Sequence, residues 1–245
     1  MNLLECKSLK VGYGCEKPAL IECANFDLAA GEVVALMGEN GSGKSTLLKT
    51  LAGFIEPLSG QALLNVDGVS FKNVRELGLR QVARNLALVR MSNVAPARFT
   101  VREFVGLGRM PYSGFLDGRS ADDERIVESA MSLLDVLHFA ERPVAELSDG
   151  ERSRVYLAEA VAQQVRVLLL DEPNAFLDIP RSHALFNMLR NLAESKGMGI
   201  VVSTHSMEYA EKYCHRIMVV DGGNVRVGRA HEAREMGLFD WTERK

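Results

Sequence analysis

An apolar run, Val33 to Met37, leads straight into Gly38-Glu39-Asn40-Gly41-Ser42-Gly43-Lys44-Ser45, and Thr46 to Ala52 follows with helix-forming residues. Strand, glycine-rich loop and helix in this order leave few folds open to the chain, because a loop of this spacing turns its backbone N–H groups toward a phosphate. Glycines allow the close approach and the unusual backbone angles. The start of the helix adds unpaired N–H groups and the positive end of its dipole. Lys44 is spaced to reach β- and γ-phosphates, and the Ser45 hydroxyl to hold Mg²⁺. A turn that merely caps a helix accounts for the glycines but not for Lys44 and Ser45 at these offsets. Nucleotide binding is the first inference, with Gly38 through Thr46 as the candidate cradle.

Composition sets outer limits. The chain has 245 residues, 47% hydrophobic and 25% charged, with a formal net charge of −3. That balance suits a water-facing domain with a core and supplies no electrostatic grip on nucleic acid. No apolar run reaches the length of a membrane span. The first residues, Met1 to Glu5, lack the basic start and long apolar stretch of a signal peptide. Cys6, Cys15, Cys23 and Cys214 are scattered without metal-ligand spacing, as expected of reduced thiols.

Taken in order, Leu3–Leu9 and Ala19–Leu28 read as strands, and the turn at Gly31 leads into the strand before the loop. Tyr13, between Gly12 and Gly14, offers a ring that can stack on a base. Gln61–Val66 and Leu86–Val89 read as further strands. From Ser92 the pattern becomes helical. Thr100-Val101-Arg102-Glu103 and Ser120-Ala121-Asp122-Asp123 both match the capping box that opens a helix. Strand-type residues return at Val167–Leu170, Gly199–Ser203 and Ile217–Val220, and Gly222-Gly223 reads as a hairpin turn before Val225–Val227. Strands alternating with helices predict an α/β fold with a mostly parallel sheet core. Around it we expect an antiparallel N-terminal β region, a helical subdomain inserted at about 92–165, and one domain over 1–245. The polar end from Gly237 on is expected to fray.

Val167-Leu168-Leu169-Leu170-Asp171-Glu172 is the second strong signal: a buried strand with two acids at its carboxyl end, where open parallel sheets bind ligands. Asp171 suits Mg²⁺ binding, and Glu172 suits orienting an attacking water. Leu147-Ser148-Asp149-Gly150-Glu151 is the third, a capping box opening a helix with Val155, Ala158, Val161 and Ala162 on one face.

The order of these parts resembles the ABC-type ATPases, whose signature Leu-Ser-Gly-Gly-Gln is met at 147–151 with two departures. The resemblance runs from Leu3 to Gly228. It implies ATP and Mg²⁺ as ligands, Tyr13 as the ring stacked on adenine, and Asn174 to Asp178 as the D-loop, with Asp178 its acid. His205 of Ser203-Thr204-His205-Ser206 becomes the switch histidine, catalytic together with Glu172. It further implies a head-to-tail pair of identical chains. Ser148, Gly150 and Glu151 of one copy then meet the ATP held by the P-loop of the other. One family position differs. A glutamine usual after the strand ending at Val89 is replaced by Met91, whose thioether is a poor Mg²⁺ ligand; Ser92 or Asn93 remains as a substitute.

The stretch from Phe99 to Tyr112 looks like the ATPase subunits of importers for ferric siderophores, haem and vitamin B12, and Gly114–Arg119 continues the likeness. This implies a peripheral subunit at the cytoplasmic face of the inner membrane, a polytopic permease as partner, and indirectly a substrate-binding protein. Two alternatives share the phosphate motifs: a soluble ABC-type ATPase of iron–sulfur assembly, and an ATP-gated binding module with little turnover.

Overall fold

Side chains alternate across a strand, so a strand buried along its whole length needs a layer on each face. The computed structural model, which describes residues 1–14, 18–90, 99–112 and 119–242, is arranged around three such strands flanked by two that are buried over most of their length. At the N-terminus, β1 (Asn2–Val11) and β2 (Ile21–Ala29) pair antiparallel. The turn at Gly31 leads to β3 (Val33–Gly38), buried at every position, and on to α1 (Lys44–Leu51). Strands β4 (Ser59–Asn65) and β5 (Phe71–Asn73) extend the antiparallel region beyond β1. Helix α2 (Leu79–Ala83) and strand β6 (Leu86–Arg90) return the chain to the core.

Three helices come next: α3 (Val101–Gly106), α4 (Ala121–Leu133) and α5 (Asp149–Ala162). Each opens on a formed capping box, at Thr100–Glu103, Ser120–Asp123 and Ser148–Glu151. Then β7 (Val167–Asp171), α6 (Ile179–Lys196), β8 (Gly199–Ser203) and α7 (Met207–Tyr213) alternate. The hairpin of β9 (Arg216–Asp221) and β10 (Asn224–Arg229) closes the sheet. Its turn uses Gly222 and Gly223, both at positive φ, the backbone a tight hairpin needs.

The sheet order is β5-β4-β1-β2-β10-β9-β3-β8-β7-β6. Strands β9, β3, β8, β7 and β6 are parallel neighbours. Their carboxyl ends therefore share one edge of the sheet, and that edge carries Gly38, Asp171 and Ser203.

Alternate residues of these strands feed two cores. Val33, Ala35 and Met37 of β3 join Leu168, Leu170, Ile200 and Val202 against α3 to α7. Val34 and Leu36 join Leu169, Val201 and Met218 against α1 and the antiparallel strands. The helices α3, α4 and α5 share the first core with the sheet. Phe186 of α6 is fully buried there and stacks on Tyr209 of α7 at 5.0 Å between ring centroids. Phe186→Ala is expected to lower the unfolding free energy by about 3–5 kcal/mol, read from urea unfolding, because the ring leaves a cavity that close packing cannot refill. A loss under about 1 kcal/mol would show that this face collapses around the gap.

Three elements lie outside the sequence expectation: β5, α2 and α7. The tail also differs. Leu238 and Phe239 are buried and belong to the first core, so apolar anchoring holds the segment that polarity alone suggests would fray. Met91, Ser92 and Asn93, the continuation at Gly114–Gly118, and Cys15 lie outside the described residues. Cys6, Cys23 and Cys214 are free thiols.

Candidate functional site

The glycine-rich loop owes its course to three positive φ angles, 144° at Gly38, 82° at Gly41 and 104° at Gly43. At Gly38 the need is also steric, since a Cβ there would lie 2.4 Å from the Val220 carbonyl oxygen and 2.9 Å from Ser42 Oγ. The loop curls around the Lys44 side chain, whose Nζ donates to the carbonyl oxygens of Gly38 and Glu39, both at 2.8 Å. Lys44 is buried, and that desolvation lowers its pKa, while the nearby charges of Glu172 and Asp171 pull it back up. Ser42 Oγ is buried and has no hydrogen-bond partner among the described residues. Helix α1 begins at Lys44 with no acid in its first turn, so its dipole is left for an incoming anion. Glu39, Asn40 and Gly41 form the exposed outer side of the loop.

The acids at the end of β7 meet this loop. Ser45 Oγ donates to Asp171 Oδ1 at 3.0 Å, joining α1 to β7 across 126 residues. Ser203 at the end of β8 donates its hydroxyl to the same Asp171 oxygen at 3.1 Å and accepts the Glu172 backbone N–H at 2.7 Å. This fully buried serine thus ties both acids to the sheet edge. Glu172 has φ 49°, a left-handed backbone that costs a non-glycine residue roughly 1–3 kcal/mol and recurs at functional sites. The effect is to turn its carboxylate away from the strand, where Oε1 lies 2.9 Å from His205 Nε2. Tyr13, at 53% exposure, presents its ring beside the loop and hydrogen-bonds through its hydroxyl to Thr46 Oγ1 at 3.0 Å.

The donor set suits Mg²⁺. Ser45 and Asp171 offer a hydroxyl and a carboxylate, hard oxygens already in contact. Mg²⁺ is commonly held by one or two carboxylates with the remaining places left to water and phosphate oxygens. Among the described residues no group of three His, Cys, Asp or Glu forms a closed metal cage. The only acid–base ion pair at Asp171 among the described residues is with Arg90, at 3.8 Å.

Ser148, Gly150 and Glu151 stand apart from this assembly. They line a pocket of about 300 Å³ between α5 and α6 in which no P-loop residue takes part. There Glu151 Oε2 accepts from both the N–H and the hydroxyl of Ser148 at 2.8 Å, and these bonds hold its carboxyl below the usual range. Asp178 caps α6, its carboxylate accepting the Arg181 N–H at 2.9 Å. Of the residues singled out in the sequence, the fold gathers Tyr13, Gly38–Thr46, Asp171, Glu172 and His205 around one cradle. The signature residues remain on another face. Ser203 is the member that motif reading passed over as an anchor; its position at the end of a buried strand was the available signal.

Comparison with known proteins gives the family and the fold. The family profile described as ABC transporter matches residues 21–175. The iron(3+)-hydroxamate import ATP-binding protein FhuC of Bacillus subtilis is 32% identical over 225 residues, covering 92% of this chain and 81% of that protein. The achromobactin transport ATP-binding protein CbrD of Dickeya dadantii is 36% identical over 220 residues, covering 90% and 79%. A solved ATP-binding subunit of an ABC transporter superposes with a TM-score of 0.78 at 29% identity, covering 96% of this chain and 94% of that one. With its phosphate loop, paired acids and sheet order in place, the chain belongs to the ABC transporter family.

Proposed function

We propose that this chain binds and hydrolyses ATP to energise a membrane importer of an iron complex, such as a ferric siderophore or haem, or of cobalamin. The contact of Ser45, Asp171, Glu172 and His205 around the Lys44 loop carries the hydrolytic part of this reading. The importer part is supported by relatives named for hydroxamate and achromobactin transport.

In this reading Lys44, Ser42 and the loop N–H groups hold the β- and γ-phosphates. Ser45 and Asp171 hold Mg²⁺, which when bound neutralises charge on the phosphate oxygens. Tyr13 stacks on the adenine. Glu172 accepts a hydrogen bond from the attacking water and polarises it, and His205 keeps the Glu172 carboxylate oriented. A second copy brings Ser148, Gly150 and Glu151 to the γ-phosphate, with Asp178 at the seam between copies. The chain acts as one domain, its helical part at about 92–165 sharing the core of the sheet.

The permease would dock on the apolar groove of about 470 Å³ beside β6, where Phe54 and Leu79 stand 74% and 88% exposed. No helix among the described residues is long and apolar enough to cross a membrane. That is consistent with a peripheral place at the cytoplasmic face of the inner membrane, the substrate being delivered by a binding protein.

Affinity purification of the tagged chain from solubilised membranes tests the assignment. The expected result is a polytopic permease in the complex and ATP turnover that rises when the complex is rebuilt in lipid with its binding protein. A purely soluble complex with no membrane protein would overturn the importer reading and favour an assembly ATPase.

A further inference from the structure

The signature end of α5 carries more negative charge than the neutral Leu-Ser-Gly-Gly-Gln pattern it resembles. Asp149 and Glu151 both lie in its first turn. The carboxyl of Glu151 is held below the usual range, first by the Ser148 N–H and then by the Ser148 hydroxyl, so it is ionised at neutral pH. That hydroxyl is the donor a phosphate would call on, and it points to Glu151 Oε2 instead. The arginines of the same helix are engaged, Arg152 with Asp149 and Arg154 with Asp135. A terminal phosphate arriving here would face a carboxylate where a helix dipole alone should greet it.

One cation is differently placed. Arg181, in the first turn of α6, folds its side chain across the start of α5. A Cβ added to Gly150 would lie 3.0 Å from Arg181 Cδ and 3.4 Å from Nε. Both Arg181 and Glu151 line the pocket between the helices. Its acidic neighbour, Asp178, is 3.7 Å away, and both side chains are more than half exposed. A pair of that kind is worth little and does not fix the guanidinium. A planar guanidinium is also the side chain whose fork matches phosphate oxygens.

We propose that Arg181 is a phosphate-binding residue acting across the dimer. From its place over Gly150 it supplies the positive charge met by the terminal phosphate of ATP held in the P-loop of a second copy. Arg181 thereby adds to the charges of Arg142 and Arg154 that already act on Glu151, and lets this signature accept ATP in preference to ADP. The inference rests on the head-to-tail reading above.

The test uses the full-length chain carrying Glu172→Gln, in which ATP is retained, and reads dimer formation by light scattering during gel filtration at increasing Mg-ATP. The parent variant is expected to dimerise with ATP and stay monomeric with ADP. Adding Arg181→Gln keeps the stem packed on Gly150 and removes the charge. It is expected to raise the ATP concentration for half-dimerisation by about tenfold or more, with monomer affinity for fluorescent ADP unchanged. Arg181→Lys, which restores a point charge without the fork, is expected to recover part of that loss. Dimerisation of the Arg181→Gln protein at the parent's ATP concentration would overturn the role of Arg181 while leaving the dimer standing. A parent variant that stays monomeric in saturating ATP would overturn the head-to-tail reading, and this inference with it.

Discussion

Replacing Glu172 with glutamine is expected to lower steady-state ATP turnover by about 10²–10⁴-fold while ATP still binds, the range spanned by a positioned general base. Glutamine keeps the length of the side chain and an oxygen that can face His205 Nε2 at the place Glu172 Oε1 occupies. It lacks the charge that draws a proton from water. The backbone need not respond, because the left-handed φ of Glu172 is held by its own N–H donating to Ser203 Oγ. The substitution therefore separates chemistry from architecture more cleanly than an alanine would. Phosphate release measures turnover, and fluorescent ATP measures binding in the same preparation. If wild type and variant turn over equally slowly while both bind ATP, the chain is an ATP-gated binding module and the water-activating role of Glu172 is wrong.

What the sequence made legible was what is local. The phosphate loop, the acids after β7 and the three capping boxes each depend on residues a few positions apart, and each is formed as its spacing predicts. Continuous apolar runs marked β3, β7 and β8 because strands covered on both faces have no polar alternation to blur them. The elements that escaped lack such a mark. No residue of α2 is buried, α7 buries only Tyr209 and Ala210, and β5 is a three-residue edge strand. Pattern reading depends on an apolar stripe, and these elements present too little of one.

In the site, the limit was distance along the chain. Ser203 joins Asp171 across 32 residues and Arg181 crosses Gly150 from another helix, contacts that only the sheet order and helix packing create. The tail teaches the same point, since Leu238 and Phe239 find the core although their neighbours are polar.

Lys44→Ala is expected to weaken ATP binding by about 100-fold or more, since a charged donor to the phosphates is lost together with the charge that balances Asp171 and Glu172. The fold itself need not suffer equally. Without nucleotide, Lys44 is a buried cation that has given up most of its water and holds two loop carbonyls in return. Removing such a charge relieves its desolvation but leaves the two carbonyls and the nearby acids without their cation, so the two effects on stability oppose each other. The decisive readout is therefore the ATP-induced rise in melting temperature, which follows from preferential binding to the folded state. Wild type should show a rise that grows with ATP concentration. In the alanine variant the rise should vanish at the same concentrations, while the melting temperature without ATP stays near that of wild type. A variant that melts early and still gains stability from ATP would mean that Lys44 supports the loop rather than the phosphates. Wild-type affinity in this variant would take the loop out of nucleotide binding altogether. The roles given to Asp171, Glu172 and Arg181 would then lose the phosphate they are arranged around.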